Sequence, residues 1–255
     1  MKITLPKTYF ENNLYTHVRI LQIGAGGTGS ALVPLLARLI ASEREMTFEY
    51  LIVDGDRVSI SNIVRQNFIK SDIGKPKAEV LTQRYGSAFG VNLSCISKYY
   101  NEETAEKVKL NVFDIVVGCV DNNKARAFIS SELSKIDNNY NRPLYIDSGN
   151  ELIGGQTFIQ GMLKDSYCGP KLIEQHPEIA NQDTNSERSC TANLANGTQR
   201  LTTNQTAAVF LFNVIDQYIH KVNIPYYEIN WTTSNTVSKI FLDDWVKSKG
   251  NLAQA

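Results

Sequence analysis

The 255-residue chain has little of several things that usually announce a function. It carries four cysteines, Cys95, Cys119, Cys168 and Cys190, and no two of them form a C-x-x-C pair. Structural zinc draws paired ligands from tight turns, and disulfide scaffolds need dense cysteines, so neither a zinc finger nor a disulfide framework is expected. There are only three histidines, so any imidazole chemistry must rest on single residues. Charge of one sign is also missing: 26 Lys+Arg stand against 26 Asp+Glu. That balance excludes a globally polybasic binder, and nucleic acid is not an expected partner. Long apolar runs are absent too. The stretches around 207–215 and 115–120 fall well short of the ~20 residues that span a bilayer. Met1 to Lys7 run into Thr8-Tyr9-Phe10-Glu11 with no apolar core of a signal peptide. A soluble, cytoplasmic protein without a membrane partner is the expectation.

What is present is a chain with 42% hydrophobic residues, enough to bury a sizeable core. Its first 150 residues alternate between short β-branched runs and longer helical segments. Strands are expected at 17–23, 48–53, 91–99, 113–120 and 143–147. Helices are expected at 30–41, 72–85 (with Pro76 in the first turn), 103–110 and 123–136. Such alternation argues for an α/β fold, a Rossmann-like, doubly wound and mostly parallel sheet with right-handed crossovers. A strand entered through glycines follows at 154–163. A polar crossover segment spans about 164–202, longer than the usual connection in a compact domain. A helix at 203–222 and a β-hairpin, 226–231 with 237–241, turn near Ser234-Asn235 and close the pattern. One domain over 1–255 is the reading.

Gly24-Ala25-Gly26-Gly27-Thr28-Gly29 follows the first strand and opens the first helix, matching G-x-G-x-x-G. Glycines there permit a tight turn and a close approach to phosphate, and the helix N-terminus supplies N–H donors and positive dipole. Asp54, at the end of the second strand, is placed to accept from a ribose hydroxyl. A dinucleotide and a nucleoside triphosphate share these features. Arg65 and Lys77, near the rim of the expected pocket, are more positive charge than a dinucleotide needs, and they suit a leaving pyrophosphate. With Lys75 they make a local cationic cluster. Asp121 ends the strand at 113–120 on the carboxyl edge of the sheet, where a carboxylate is a natural Mg²⁺ ligand.

Four blocks occur in order: GAGGTG; D54-x-D56-x-V-x-x-S-N62-x-x-R65-Q66; G-K-P-K77-A; and C-V-D121-N122-x-x-A-R126. Together they resemble the ThiF/MoeB/HesA family, the ATP-dependent adenylyltransferase fold of ubiquitin-activating enzymes and of activators of ubiquitin-like sulfur carriers. Within it, the chain resembles the short bacterial members. The resemblance implies that the turn Gly24, Gly26, Gly27 and Gly29 holds phosphates and adenosine. It implies that Asp54 binds ribose, with Asp56 beside it in the nucleotide site. Asn62, Arg65, Gln66 and Lys77 would contact the triphosphate, Asp121 would hold Mg²⁺, and Asn122 would line the site. The implied cofactors are ATP and Mg²⁺. The implied reaction is attack by the C-terminal carboxylate of a ubiquitin-like protein, or of a sulfur carrier, on the ATP α-phosphate. A carboxylate is already ionised at neutral pH, so no catalytic triad is required.

Cys119 reads as a buried apolar residue and Cys95 as a structural strand residue. Cys190, after Glu187-Arg188-Ser189 in the polar crossover, is the candidate acceptor of the activated acyl group as a thioester, against a dispensable loop residue. Cys168 is the alternative acceptor. It stands where relatives begin a zinc-binding C-x-x-C, and with its partners missing no Cys₄ zinc site is expected. Relatives also imply a homodimer and a conjugating enzyme as partner, although no arginine precedes Arg19 to reach a partner subunit's ATP. His17, His176 and His220 carry no assigned chemistry. The competing readings are a tRNA-modifying enzyme like the threonylcarbamoyladenosine dehydratases, an NAD-dependent oxidoreductase, and an inactive scaffold.

Overall fold

The computed structural model describes residues 17–136, 142–161, 169–180 and 202–252. The chain forms β1 (His17–Ile23), α1 (Gly27–Ser42), β2 (Thr47–Val53), α2 (Lys77–Phe89), β3 (Leu93–Ile96) and α3 (Glu102–Lys107). It continues through β4 (Ile115–Gly118), α4 (Asn123–Ser134), β5 (Leu144–Asn150), β6 (Gly154–Gln160) and the short α5 (Leu172–Gln175). It closes with α6 (Thr202–Ile219), β7 (Tyr226–Thr232), β8 (Val237–Phe241) and α7 (Leu242–Leu252).

The eight strands make one sheet in the order β3-β2-β1-β4-β5-β6-β7-β8. Pairings from β3 to β5 are parallel, with β1 at the centre of the reversal between β2 and β4. Pairings from β5 to β8 are antiparallel. The parallel strands read as continuous apolar runs because helices cover both faces: Ile115, Val116 and Val117 of β4 have no exposed surface. α6 packs on α1 and over β5 and β6, burying Ala207, Leu211, Val214 and Ile215. Among the described residues no helix is long and apolar enough to cross a membrane.

The expected doubly wound sheet, C-terminal helix and hairpin are all present, with two local corrections. The helix expected from Asp72 begins only at Lys77, with Pro76 as its N-cap, and runs on to Phe89. Asp72 instead closes a separate 3-10 turn, where its carboxylate accepts from Ile69 N at 2.8 Å and pairs with Arg84. Gly74 then takes φ +85°, a left-handed conformation that interrupts the chain before Pro76. The helix α7 was not foreseen. It follows directly on β8 and starts with Asp243 and Asp244, charges that suit a helix N-terminus. Of the crossover segment, residues 169–180 form α5 and a 3-10 turn at Pro177–Ile179. Cys168, Glu187, Arg188 and Cys190 lie outside the described residues, as does the segment before His17.

Candidate functional site

The central strands end together at the carboxyl edge of the sheet, and the chain leaves each of them into a loop that faces one cavity of about 940 Å³. That volume lies at the upper end of the range for small-molecule sites.

The glycine turn is shaped by its neighbours. Gly24 has φ +102°, and a Cβ there would stand 2.4 Å from the Cys119 carbonyl oxygen, so β1 and β4 approach as closely as they do only with glycine. Beneath the turn Gln22, fully buried, donates to the carbonyls of Gly24 (2.8 Å) and Gly29 (3.2 Å) and accepts from Tyr50. Gly26 differs: a Cβ there would meet nothing within 4 Å. Among the described residues no group occupies that place, and the space in front of the α1 N-terminus is open. No acidic residue stands in the first turn of α1. The turn thus presents free donors and positive dipole to the cavity.

A second wall comes from the chain after β2. Asp54 accepts from Ala25 N at 2.6 Å and from Asp56 N at 2.8 Å. Burial raises its carboxyl above the usual range, and these hydrogen bonds and Lys77 oppose that shift without cancelling it. Lys77, the first residue of α2, extends its ammonium to Asp56 Oδ2 at 2.7 Å and has a side chain only 6% exposed. Tyr99 donates its hydroxyl to the other oxygen of Asp56. Burial alone would raise the Asp56 carboxyl, but the hydrogen bonds from Lys77 and Tyr99 outweigh it and hold it below the usual range. The Asp56 hydrogen bond pushes the Tyr99 phenol up to about 12, keeping it a donor.

Arg65 and Gln66 are buried in the cavity wall rather than set at its rim. Gln66 Oε1 is a buried side-chain oxygen without a partner among the described residues, a group that a ligand donor would satisfy. Asn62 lines the same wall, but its Oδ1 accepts from Ser59 N at 2.8 Å and caps a 3-10 turn. Lys75 is exposed and does not reach the cavity, and Arg57 takes its place there.

On the far side Asp121 and Asn122 close the loop after β4. Asn122 caps α4, accepting from Ala125 N at 2.8 Å, and donates to Asp121 Oδ1 at 3.3 Å, which steers that exposed carboxylate. Arg126 lies beneath them. It donates to Asp147 Oδ1 (2.7 Å), to the Val120 carbonyl (2.6 Å) and to the Ser148 carbonyl (3.1 Å), and so joins the ends of β4 and β5. Among the described residues, no group of three or more His, Cys, Asp and Glu is arranged to hold a metal by protein ligands alone. A hard cation would therefore share Asp121 with ligand oxygens.

Of the residues singled out from sequence, Gly24, Gly26, Gly27, Asp54, Asp56, Asn62, Arg65, Gln66, Lys77, Asp121 and Asn122 all line the one cavity. Gly29 does not; a Cβ there would strike the Gly24 carbonyl at 2.2 Å, so its place is in packing. Cys119 is buried, and burial pushes its thiol up, away from reactivity.

Several contributors had no site role assigned from the sequence. Asn204 of α6 accepts from Asn150 Nδ2 at 2.9 Å and from Thr28 Oγ1 at 3.4 Å, and Asn150 also donates to Thr28 Oγ1 at 2.7 Å. This polar clasp presses on Gly27, where a Cβ would fall 2.3 Å from Asn204 Nδ2. The cavity then continues over β6 and β7 to Gln156, Asn230, Trp231 and Ser238, and under the connector at Leu172 and Glu178. His176 of that connector holds Glu228 of β7 at 3.2 Å and Glu178 at 3.1 Å.

The family profile described as the ThiF family matches residues 12–238. The catalytic subunit of the NEDD8-activating enzyme E1 of Saccharomyces cerevisiae is 30% identical over 156 residues, covering 59% of this chain and 50% of that protein. Its counterpart in Arabidopsis thaliana is 31% identical over 127 residues, 49% of this chain and 26% of that one. The chain therefore spans half or less of the curated relatives it matches. Among solved structures, E. coli MccB with ATP superposes with a TM-score of 0.62 at 18% identity, covering 88% of this chain and 64% of that one.

Proposed function

That the chain belongs to the ThiF family is the premise from which we propose an ATP-dependent activating enzyme, one that adenylates the C-terminal carboxylate of a ubiquitin-like protein. The observation that carries the reading is the shared cavity. An open glycine turn at the α1 N-terminus, the buried cations Arg65 and Lys77, and the carboxylate Asp121 face one space, which continues over the antiparallel strands.

In the proposed reaction a carboxylate oxygen of the partner attacks the α-phosphorus of ATP. The new oxygen–phosphorus bond forms as the bond to the bridging oxygen breaks, and pyrophosphate leaves. Asp54 accepts from a ribose hydroxyl. The α1 N-terminus and the open place at Gly26 receive phosphate oxygens. Arg65 and Lys77 neutralise charge on the departing pyrophosphate, with Asp56 and Tyr99 fixing where the ammonium points. Asp121 would hold Mg²⁺, which when bound supplies further charge neutralisation at the phosphates. Because the nucleophile is already ionised, the protein's contribution is position and charge. The partner's extended tail would lie along the cavity over β6 and β7, past Asn230 and Ser238.

The same proposal includes a second step, attack by the Cys190 thiolate on the acyl-adenylate, forming a thioester and releasing AMP. A DTT-sensitive adduct lost in Cys190→Ala supports that step, and an adduct that survives removes it. The first step is tested by ATP–pyrophosphate exchange with candidate ubiquitin-like proteins and sulfur carriers. Exchange that depends on a free C-terminus, and that disappears in a folded Asp121→Ala variant, is expected. Undiminished exchange in that variant overturns the assignment, and exchange with sulfur carriers alone replaces the partner class.

A further inference from the structure

Helix α1 contains Pro34 in its interior. Proline has no N–H to donate to the carbonyl four residues earlier, and its ring crowds that carbonyl. The carbonyl concerned belongs to Ser30, one turn from Gly27, and Ser30 is fully buried. Asn67 meets it there: its Nδ2 donates to Ser30 O at 2.8 Å, and its backbone N–H donates to Ser30 Oγ at 3.1 Å. From the other side Arg84 of α2 donates to the Asn67 carbonyl at 2.7 Å and pairs with Asp72.

We infer that Asn67 is a positioning residue: it fills the hydrogen-bonding place that Pro34 empties, and so ties the loop carrying Arg65 and Gln66 to the helix whose N-terminus faces the cavity. Neither Pro34, Ser30 nor Asn67 lines the cavity, so the tie acts through the two residues immediately before Asn67. The loop folds on itself through Arg65 N and Gln66 N, which donate to the Asn62 carbonyl, and Val58 and Phe68 anchor its ends in the core. Ile60, Val64 and Ile69 expose 79%, 77% and 56% of their surface, while Phe68 is buried. The bonds from Asn67 to Ser30 are side-chain and backbone links from this loop to α1, two residues along the chain from Arg65. The pairing also accounts for a proline in an otherwise regular helix: the lost helical bond is the opening into which the loop docks.

The inference rests on the nucleotide-binding reading above, and the test separates the two. Mg·ATP affinity by calorimetric titration and thermal midpoint are measured for the full chain, for Asn67→Ala and for Asn67→Ala combined with Pro34→Ala. Asn67→Ala is expected to lower the midpoint and to weaken ATP binding about tenfold, the scale of one hydrogen bond. In the double variant residue 34 again has an N–H for Ser30 O, so the midpoint returns to the wild-type value or above it. ATP affinity is expected to stay about tenfold weaker, because the side-chain tie to Ser30 O is still missing and only the backbone N–H of residue 67 reaches Ser30 Oγ. An affinity that recovers with the midpoint makes Asn67 a stability residue only and overturns the inference. Unchanged affinity in Asn67→Ala overturns it as well. Wild-type protein that does not bind Mg·ATP at all refutes the nucleotide reading itself, and the inference with it.

Discussion

Strands β1 to β5 run parallel, and among the described residues every lysine and arginine on the cavity wall (Arg57, Arg65, Lys77 and Arg126) is supplied by the segments that link them. Strands β6 to β8 run antiparallel, and among the described residues their part of the wall includes Gln156, Asn230, Trp231 and Ser238, polar or aromatic but without a cation. The difference follows from geometry. Parallel strands deliver all their carboxyl ends to one edge, so loops and helix N-termini converge there and charge is concentrated. Antiparallel strands alternate direction, and what they offer is a face, along which an extended chain can lie. Under the proposed function, one sheet thus provides a point for phosphate chemistry and a track beside it.

The comparison breaks most visibly if chemistry leaks out of the parallel half. Lys77→Ala and Asp121→Ala are expected to reduce ATP–pyrophosphate exchange by about 10²–10³-fold, as when a preorganised charge is removed from a transition state. Full exchange in both would dissolve the division of labour. Next in size is the floor of the parallel half, where Arg126 joins the ends of β4 and β5. Arg126→Met strands Asp147, 3% exposed, without its cation. Loss of one partner of a buried pair costs about 3–5 kcal/mol, read as a fall in the thermal midpoint, with Arg126→Met/Asp147→Leu recovering most of it. On the track, Asn230→Ala is expected to raise KM for the carboxylate partner by about tenfold while ATP affinity stays constant, as befits one lost polar contact. An equal change in ATP affinity would merge the two regions into one.

The smallest effect concerns the connector. His176 is raised above its ordinary value of 6.5, first by the Glu228 hydrogen bond and against its burial. Glu228 lies below its ordinary 4.5: burial would raise it, and the hydrogen bonds from His176 and Asn230 overcome that. A histidine with a raised folded-state value stabilises below its unfolded value and loses that stabilisation as pH rises through the folded one. A lowered glutamate stabilises above its unfolded value and loses this as pH falls. His176→Ala should therefore destabilise by roughly 1 kcal/mol between the two ordinary values, 4.5 and 6.5, and progressively less in alkaline solution. Thermal scans across pH read this directly, and a penalty independent of pH would remove the ion pair from the account.

Much of the parallel half was legible because its signals are local. The run at His17–Ile23 is bounded by a glycine cluster on one side and carries its own β-branched pattern, and the strand has those same ends. The nucleotide turn, the Asp54 and Asp121 positions and the hairpin are likewise read from neighbours in the chain. What escaped depends on partners far apart. The start of α2 is decided by Asp72 meeting Arg84, and the role of Asn67 by a missing N–H at Pro34. Asn150 and Thr28 meet across 122 positions. No periodicity records such contacts, and a single sequence does not pair them. α7 was missed for another reason: it follows β8 without an intervening turn, so no punctuation marks its start.

Thr28 and Asn204 are separated by 176 positions, yet they close the same clasp over the glycine turn. During synthesis at about 5–20 residues per second, the turn waits roughly 10–35 s for that partner to be made. A growing chain therefore carries a complete nucleotide motif long before it has the groups that set the motif's shape. Assembly of the site is a late event in the synthesis of each molecule, because α6, which carries Asn204, is made long after α1.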